Sequence, residues 1–270
     1  MSSAGLYNSQ QMAASVEELF EHALRERGLP WTRDSDSGRY TVQADDITLT
    51  ISIDNLRREF ARDSDVGCVS RFIDSVLRAQ TAKTPEWSDA RNRIIFCLEP
   101  TGYVQPPELR MPISEQVDRV SALLDDSSAK LTWLTKAMLH AWNVAPRDIE
   151  DAALANLAAA LRESSLEWKQ IDAVRLGFFA THLPFKSPLL LAPNLKDLIA
   201  KEIGWPILAV VPDRDFVYIW AAEHRQFAQR VGAVVLQQYS KSPYPVAKEV
   251  FRIDDSGISA IGAFADPGAD

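Results

Sequence analysis

A chain of 270 residues with 46% hydrophobic and 24% charged side chains can bury a sizeable core, and its composition is that of a folded globular protein. Its formal net charge of −8 and pI near 5.1 argue against a surface built to hold phosphates, so no nucleic-acid partner is expected. No apolar run approaches the ~20 residues that a membrane-spanning helix needs.

The opening residues, MSSAGLYNSQ, have neither the basic nor the apolar stretch of a secretory signal. Residues 1–11 are small and polar and read as disordered. From Ser15, the apolar positions Val16, Leu19, Phe20, Ala23 and Leu24 recur at helical spacing. Glu17 and Glu18 sit in the first turn, and Gly28 is the stop. Residues 39–43 and 47–53 alternate as strands, the second with Ile47, Leu49, Ile51 and Ile53 on one face. Asp54 opens a short helix through Arg62, whose Leu56-Arg57-Arg58-Glu59-Phe60-Ala61-Arg62 is the densest basic stretch and reads as a solvated face. A further helix follows from Asp65 with Val66, Val69, Phe72, Ile73, Val76 and Leu77 inward, and then a strand over 94–98.

Pro100, Pro106, Pro107 and Pro112 break regular structure and mark a linker over 101–112. It divides an N-terminal α+β module, residues 12–100, from a C-terminal α+β domain, residues 113–262. Beyond it, 117–124 and 130–134 read as a hairpin around Asp125-Asp126-Ser127-Ser128, with Thr135 as the N-cap of a short helix. A single helix over 129–142 competes with that reading, because Leu131, Leu134 and Met138 also share a helical stripe. Pro146 opens a clearer helix with Ile149, Ala153, Leu154, Leu157 and Leu161 inward.

Strands are then expected near 173–180 and 189–191, followed by a helix from Asn194 that ends at Gly204. Ile207–Val211 and Phe216–Trp220 form a hairpin about Pro212-Asp213-Arg214-Asp215. A helix over 223–239 and strands near 248–253 and 258–261 complete the chain. Hairpins each followed by a helix imply an α+β fold, with largely antiparallel sheets, helices packed on one face, and two domains.

Two stretches carry a family resemblance. Trp142-Asn143-Val144 followed by Asp148-Ile149-Glu150-Asp151-Ala152-Ala153-Leu154-Ala155-Asn156-Leu157 resembles the tryptophan, turn and acidic-helix stretch of the YtpQ family of bacterial proteins. Ser187-Pro188-Leu189-Leu190-Leu191, a helix and the Pro-Asp-Arg-Asp hairpin are similar to the same family, in its order, over residues 117–261. The resemblance implies a domain without an established activity and transfers no catalytic residue. The N-terminal helix, strands and helix also look like small acidic chaperones that cradle secretion substrates, a fold-level analogy.

The Pro212–Asp215 loop holds the densest charge beside apolar sequence. Asp213 and Asp215 can bind a cation or polar ligand, and the planar fork of Arg214 can orient an anion. The plainer reading is a turn whose carboxylates satisfy loop amides and pair with Arg214. A Pro-Asp at a strand end is also met in metal-dependent nucleases, but Phe216–Trp220 supplies neither the acid nor the lysine such a site needs.

Among His22, His140, His182 and His224 none pairs at metal-binding spacing, and His182, after a strand, is the best placed to line a cleft. Cys68 and Cys97 lie in apolar sequence with no local base, so they read as buried, reduced and inert. Gly-x-Ser-x-Gly, Gly-x-Gly-x-x-Gly and P-loop patterns are absent from the sequence. Of the seven tryptophans, Trp133, Trp142, Trp168, Trp205 and Trp220 fall in the second half, where they fill a core or wall a groove. The two helices 135–142 and 146–162 could mimic a helix–turn–helix, but Asp148, Glu150 and Asp151 would repel phosphates.

The expectation is therefore a cytoplasmic, non-catalytic protein that binds another protein in a chaperone-like way. No metal, cofactor or membrane is expected, and the oligomeric state is left open. The rival is a hydrolase that uses Asp213, Asp215 and His182 in one cleft.

Overall fold

The computed structural model describes residues 15–44, 47–81, 84–103, 106–125, 131–183 and 185–265. The expected disorder of residues 1–11 and most of the turn after Asp125 lie outside the described residues. The chain divides into two compact units, Met1–Lys83 and Thr84–Asp270.

In the first unit, α1 (Val16–Glu26) is started by a capping box. Ser15 accepts the Glu18 N–H at 3.2 Å, and the Glu18 carboxylate accepts the Ser15 N–H at 2.8 Å. Three antiparallel strands follow, β1 (Trp31–Arg33), β2 (Tyr40–Ala44) and β3 (Ile47–Ile51), in the order β1-β2-β3. Helices α2 (Asp54–Asp63) and α3 (Gly67–Thr81) complete the unit. The apolar positions of the helices and strands meet in one core, with Phe20, Leu24, Tyr40, Val42, Ile53, Leu56 and Ile73 at its centre. Ile47, 39% exposed at the start of β3, and Val66 are the exceptions to the expected apolar faces. Val66 precedes α3 and is 57% exposed.

The second unit begins with α4 (Trp87–Ala90) and then β4 (Ile94–Pro100), β5 (Arg110–Pro112), β6 (Val117–Leu124) and β7 (Leu131–Trp133). These form an antiparallel four-stranded sheet, with β4 and β5 on β6 and β7 also pairing with β6. The linker expected over 101–112 is therefore corrected. Every residue of β4 pairs with β6, from Ile94↔Leu123 to Pro100↔Val117, and β5 lies inside the proline-rich stretch. Prolines there interrupt strands without separating units. The pairing of β7 with β6 also settles the competition between hairpin and helix in favour of the hairpin.

Helix α5 (Lys136–Trp142) starts at Thr135, whose hydroxyl accepts the Met138 N–H, and α6 (Pro146–Arg162) carries its proline at the first turn. A strand absent from the sequence reading, β8 (Ser165–Ile171), pairs with β9 (Val174–Ala180). The expected strand at 189–191 is a 3₁₀ helix over Ser187–Leu191. Pro188 has no N–H to give to a strand ladder, and Leu189 and Ala192 instead donate to the carbonyls three residues earlier, Lys186 and Leu189, which winds the segment into a 3₁₀ turn.

After α7 (Leu195–Ile199) come β10 (Ile207–Asp213) and β11 (Phe216–Ala221), a 3₁₀ helix over Ala222–Phe227, α8 (Ala228–Lys241), β12 (Glu249–Asp254) and β13 (Gly257–Ala263). The six-stranded antiparallel sheet runs β13-β12-β10-β11-β9-β8. Central strand β10 is buried at every residue, because both faces of this sheet are covered. Leu208 and Val210 join Val231 and Val235 of α8 on one side. Ile207, Ala209 and Val211 join Ile149, Leu157 and the β4 residues in the main core on the other. The fold is α+β with antiparallel sheets, as the hairpin-and-helix pattern implies. Among the described residues no helix is long and apolar enough to cross a membrane.

Tyr40 couples the first core to pH. Its ring is fully buried and its hydroxyl donates to Glu21 at 3.0 Å. Burial first, and then the neighbouring carboxylate, push the phenol up to about 12. A raised folded-state value makes a contribution that is complete below the unfolded phenol's value of about 10 and is lost as pH climbs toward about 12. Across that window, denaturant titrations should show the native chain losing stability faster than Tyr40→Phe. Parallel curves would disprove this.

Candidate functional site

The β10–β11 hairpin closes more tightly than the sequence suggests. Asp213 pairs with Phe216, so Arg214 and Asp215 alone make the turn, after a register shift between Val210 and Asp213. Asp213 is 5% exposed and its carboxylate is committed. Oδ1 accepts the Asp215 N–H at 2.7 Å, and Oδ2 accepts the Ser242 hydroxyl. Ser242 Oγ in turn accepts the Tyr244 N–H at 2.8 Å. The backbone continues the join, with Val246 and Ala247 donating to the carbonyls of Pro212 and Val211.

Arg214 turns inward. Its Nη2 donates to Glu99 Oε2 at 2.6 Å, and the Tyr103 hydroxyl donates to the same oxygen at 2.8 Å. The guanidinium also lies 5.0 Å from the Tyr244 ring centre and 5.9 Å from that of Phe185. The Arg214 carbonyl accepts the N–H groups of Lys186 and Ser187 at 2.9 and 3.0 Å. One turn residue thus gathers four segments: β4, the residues just after it, the start of the 3₁₀ helix at Ser187, and the chain after α8.

The charges explain why this arrangement is needed. Glu99 and Asp118 face each other across β4 and β6, are 0% and 1% exposed, and project from the same side of the sheet. Like charges directly opposite destabilise a sheet unless they are neutralised. Arg214 holds Glu99, and Arg110 on β5 holds Asp118 through Nη1 at 2.7 Å. Burial raises Tyr103, with the Glu99 charge adding to it, so the phenol remains a donor. Burial also pushes the Cys97 thiol well up, which suits an inert side chain. Both cysteines are free and buried.

The sequence-predicted residues therefore separate. Asp213, Arg214 and Asp215 share one hairpin end, where the first two are consumed by internal bonds. His182 is exposed after β9 and makes no hydrogen bond or ion pair with the other three among the described residues. Glu99 and Tyr103 were missed. The available signal was a lone carboxylate closing the apolar run Ile94–Leu98. Among the described residues no group of three or more His, Cys, Asp or Glu side chains is placed to hold a metal. Of the tryptophans, only Trp220 is fully buried, while Trp168 lies 39% exposed beneath the Arg175 guanidinium.

A different concavity lies on the α8 side of the six-stranded sheet. This open groove of about 1160 Å³ is bounded by the β8–β9 turn, the 3₁₀ helix before α8 and the end of β13. Val174, Leu208, Val250 and Phe227 lie at its floor, each more than nine-tenths buried, while the exposed side chains of Asp172, Glu223, Arg225, Gln226, Gln229 and Arg230 form its wall. Asp172 takes a left-handed backbone at the β8–β9 turn (φ 51°) and forms an ion pair with Arg230 of α8. His224 and Glu223 approach to 3.5 Å, whereas Arg225 is exposed. No tryptophan lines this groove.

No family model matches the chain, and neither a curated protein nor a solved structure matches it.

Arg214→Met leaves Glu99 buried without its cation and should cost about 3–5 kcal/mol, whereas adding Glu99→Leu should recover most of that loss. Denaturant titration of the single and double variants measures this coupling. Additive losses would show that the pair does not act as a unit.

Proposed function

We propose that the chain is a cytoplasmic, non-catalytic polypeptide-binding protein with a chaperone-like role, and that its working surface is the groove on the α8 side rather than the Asp213–Asp215 turn. The observation that carries this reading is the groove's size and chemistry. At about 1160 Å³ it exceeds the usual ~300–1,000 Å³ of small-molecule sites, and it opens broadly to solvent. A small apolar floor within a broad wall of exposed polar and charged side chains is compatible with the mixed makeup of a polypeptide interface.

The hydrolase alternative has less support. The Asp213 carboxylate already accepts a backbone amide and a hydroxyl, and His182 has no described bond to it. Membership of the YtpQ family, suggested by Trp142–Leu157 and Ser187–Trp220, is compatible with a binding role and adds no catalytic group.

Gly262 gives a direct test. It lines the groove, and a Cβ added there meets nothing within 4 Å, so a larger side chain can start from it without a clash at its base. Random-sequence peptides displayed on phage and selected on the full chain should yield binders. Gly262→Trp should weaken them by about tenfold, or roughly 1.4 kcal/mol, with the melting temperature unchanged. Binders indifferent to Gly262→Trp, or no binders at all, would overturn the proposal.

A further inference from the structure

Strand β8 ends the six-stranded sheet, with β9 on one side and no strand on the other among the described residues. We infer that this open edge is where two copies of the chain join, antiparallel, about a two-fold axis at Trp168. The side chains of β8 are exposed except those of Leu166 and Ile171, which are partly buried. The β8–β9 hairpin closes through Asp172 and Ala173 alone, so Ile171 and Val174 flank a two-residue turn. Residues flanking such a turn exchange both backbone bonds, and the pattern then alternates along the pair. Leu166, Trp168 and Gln170 therefore direct their N–H and C=O groups away from β9, toward the place a further strand would take.

Charge selects the occupant. An unpaired edge invites pairing, and charged side chains commonly guard it. On β8 the guard has one residue of each sign, Glu167 and Lys169, on the α8 side of the sheet with Ile171 and Leu176. Both are exposed, and neither forms an ion pair among the described residues. With Trp168 of two copies placed opposite each other, Glu167 of each faces Lys169 of the other, and the strands overlap in full, Ser165 opposite Ile171. A slide of two residues, the smallest that keeps the faces matched, sets Glu167 against Glu167 or Lys169 against Lys169 and shortens the overlap. Trp168 lies on the other face, 39% exposed with the Arg175 guanidinium 4.3 Å from its ring centre, and the join covers part of that ring. The opposite edge of the sheet, β13, has no charged residue and so nothing that fixes a register. A foreign strand of one charge sign would meet a like charge on β8, whereas a second copy meets none.

Analytical ultracentrifugation of the full chain tests this. The native protein should sediment as a species of twice its 30.1 kDa mass that dissociates on dilution. Lys169→Glu sets carboxylate against carboxylate at both contacts, and Glu167→Lys sets ammonium against ammonium. Each should raise the dissociation constant about tenfold or more, with an unchanged circular dichroism spectrum because both side chains are exposed. Mixing the two variants should restore native affinity as a heterodimer, and the double variant Glu167→Lys/Lys169→Glu should restore it alone. A misfolded variant could not produce either rescue. A monomer throughout the micromolar range, a dimer indifferent to both single substitutions, or single variants that neither the mixture nor the double variant rescues would each overturn the inference.

Discussion

The contact between Arg214 and Glu99 is the constraint on which the second unit is organised. A carboxylate that is 0% exposed must be paired, because an isolated buried charge costs several kcal/mol. Glu99 cannot find its cation within its own sheet, since the residue directly opposite on β6 is another acid, Asp118. The cation arrives from the β10–β11 turn, 115 residues away in sequence. Bringing it there fixes where the six-stranded sheet ends against β4. The backbone of Arg214 then anchors Lys186 and Ser187, while Asp213 anchors Ser242. Such a pair adds little net stability compared with apolar residues of the same shape, but it tolerates few alternative packings.

This accounts for the charge in the Pro-Asp-Arg-Asp turn without chemistry. Asp213 and Arg214 each have a structural task whose removal would leave something unpaired. Asp213 closes the turn, Arg214 neutralises a distant acid, and their bonds are made within the protein. A turn on a free surface would have no need to place a guanidinium that is 13% exposed between two aromatic rings. The density of charge that marks the loop in sequence is the mark of a joint.

How much could be read in advance follows from how far each interaction reaches along the chain. The capping box at Ser15, the N-cap at Thr135, the proline opening α6 and the β10–β11 hairpin depend on residues within a few positions of one another, and the sequence pattern locates them. The chain's division into units did not follow from its prolines, because Pro100 and Pro112 sit at strand ends within one sheet. Strand β8 escaped notice because it is an outer strand with most residues exposed, leaving no apolar alternation to detect. The 3₁₀ helix at Ser187 looked like a strand because three consecutive leucines do not reveal whether they alternate. The pairing of Glu99 with Arg214 was illegible for a stronger reason, since only the completed sheets bring the two together.

The groove was equally hidden, and for a related cause. Its lining comes from the β8–β9 turn, β9, β10, the 3₁₀ helix and start of α8, β12 and β13, segments spread from Ile171 to Phe264, and its apolar members look like ordinary core. What distinguishes it is the order in which cover is applied. Helix α8 enters through a 3₁₀ segment in which His224 leaves helical geometry (φ −92°, ψ 46°). That kink separates the helix that seals Val231 and Val235 onto the sheet from the rim residues Glu223, His224 and Arg225. Phe227, at the junction, packs edge-on against Trp220 at 5.9 Å, fixing where the sealed core stops and the open groove starts. The protein therefore spends charge in two ways. Buried Glu99 is paired across 115 residues of sequence, which ties β4 to the β10–β11 turn, whereas the charges of Glu223 and Arg225, beyond the kink, stay at the exposed margin of the groove.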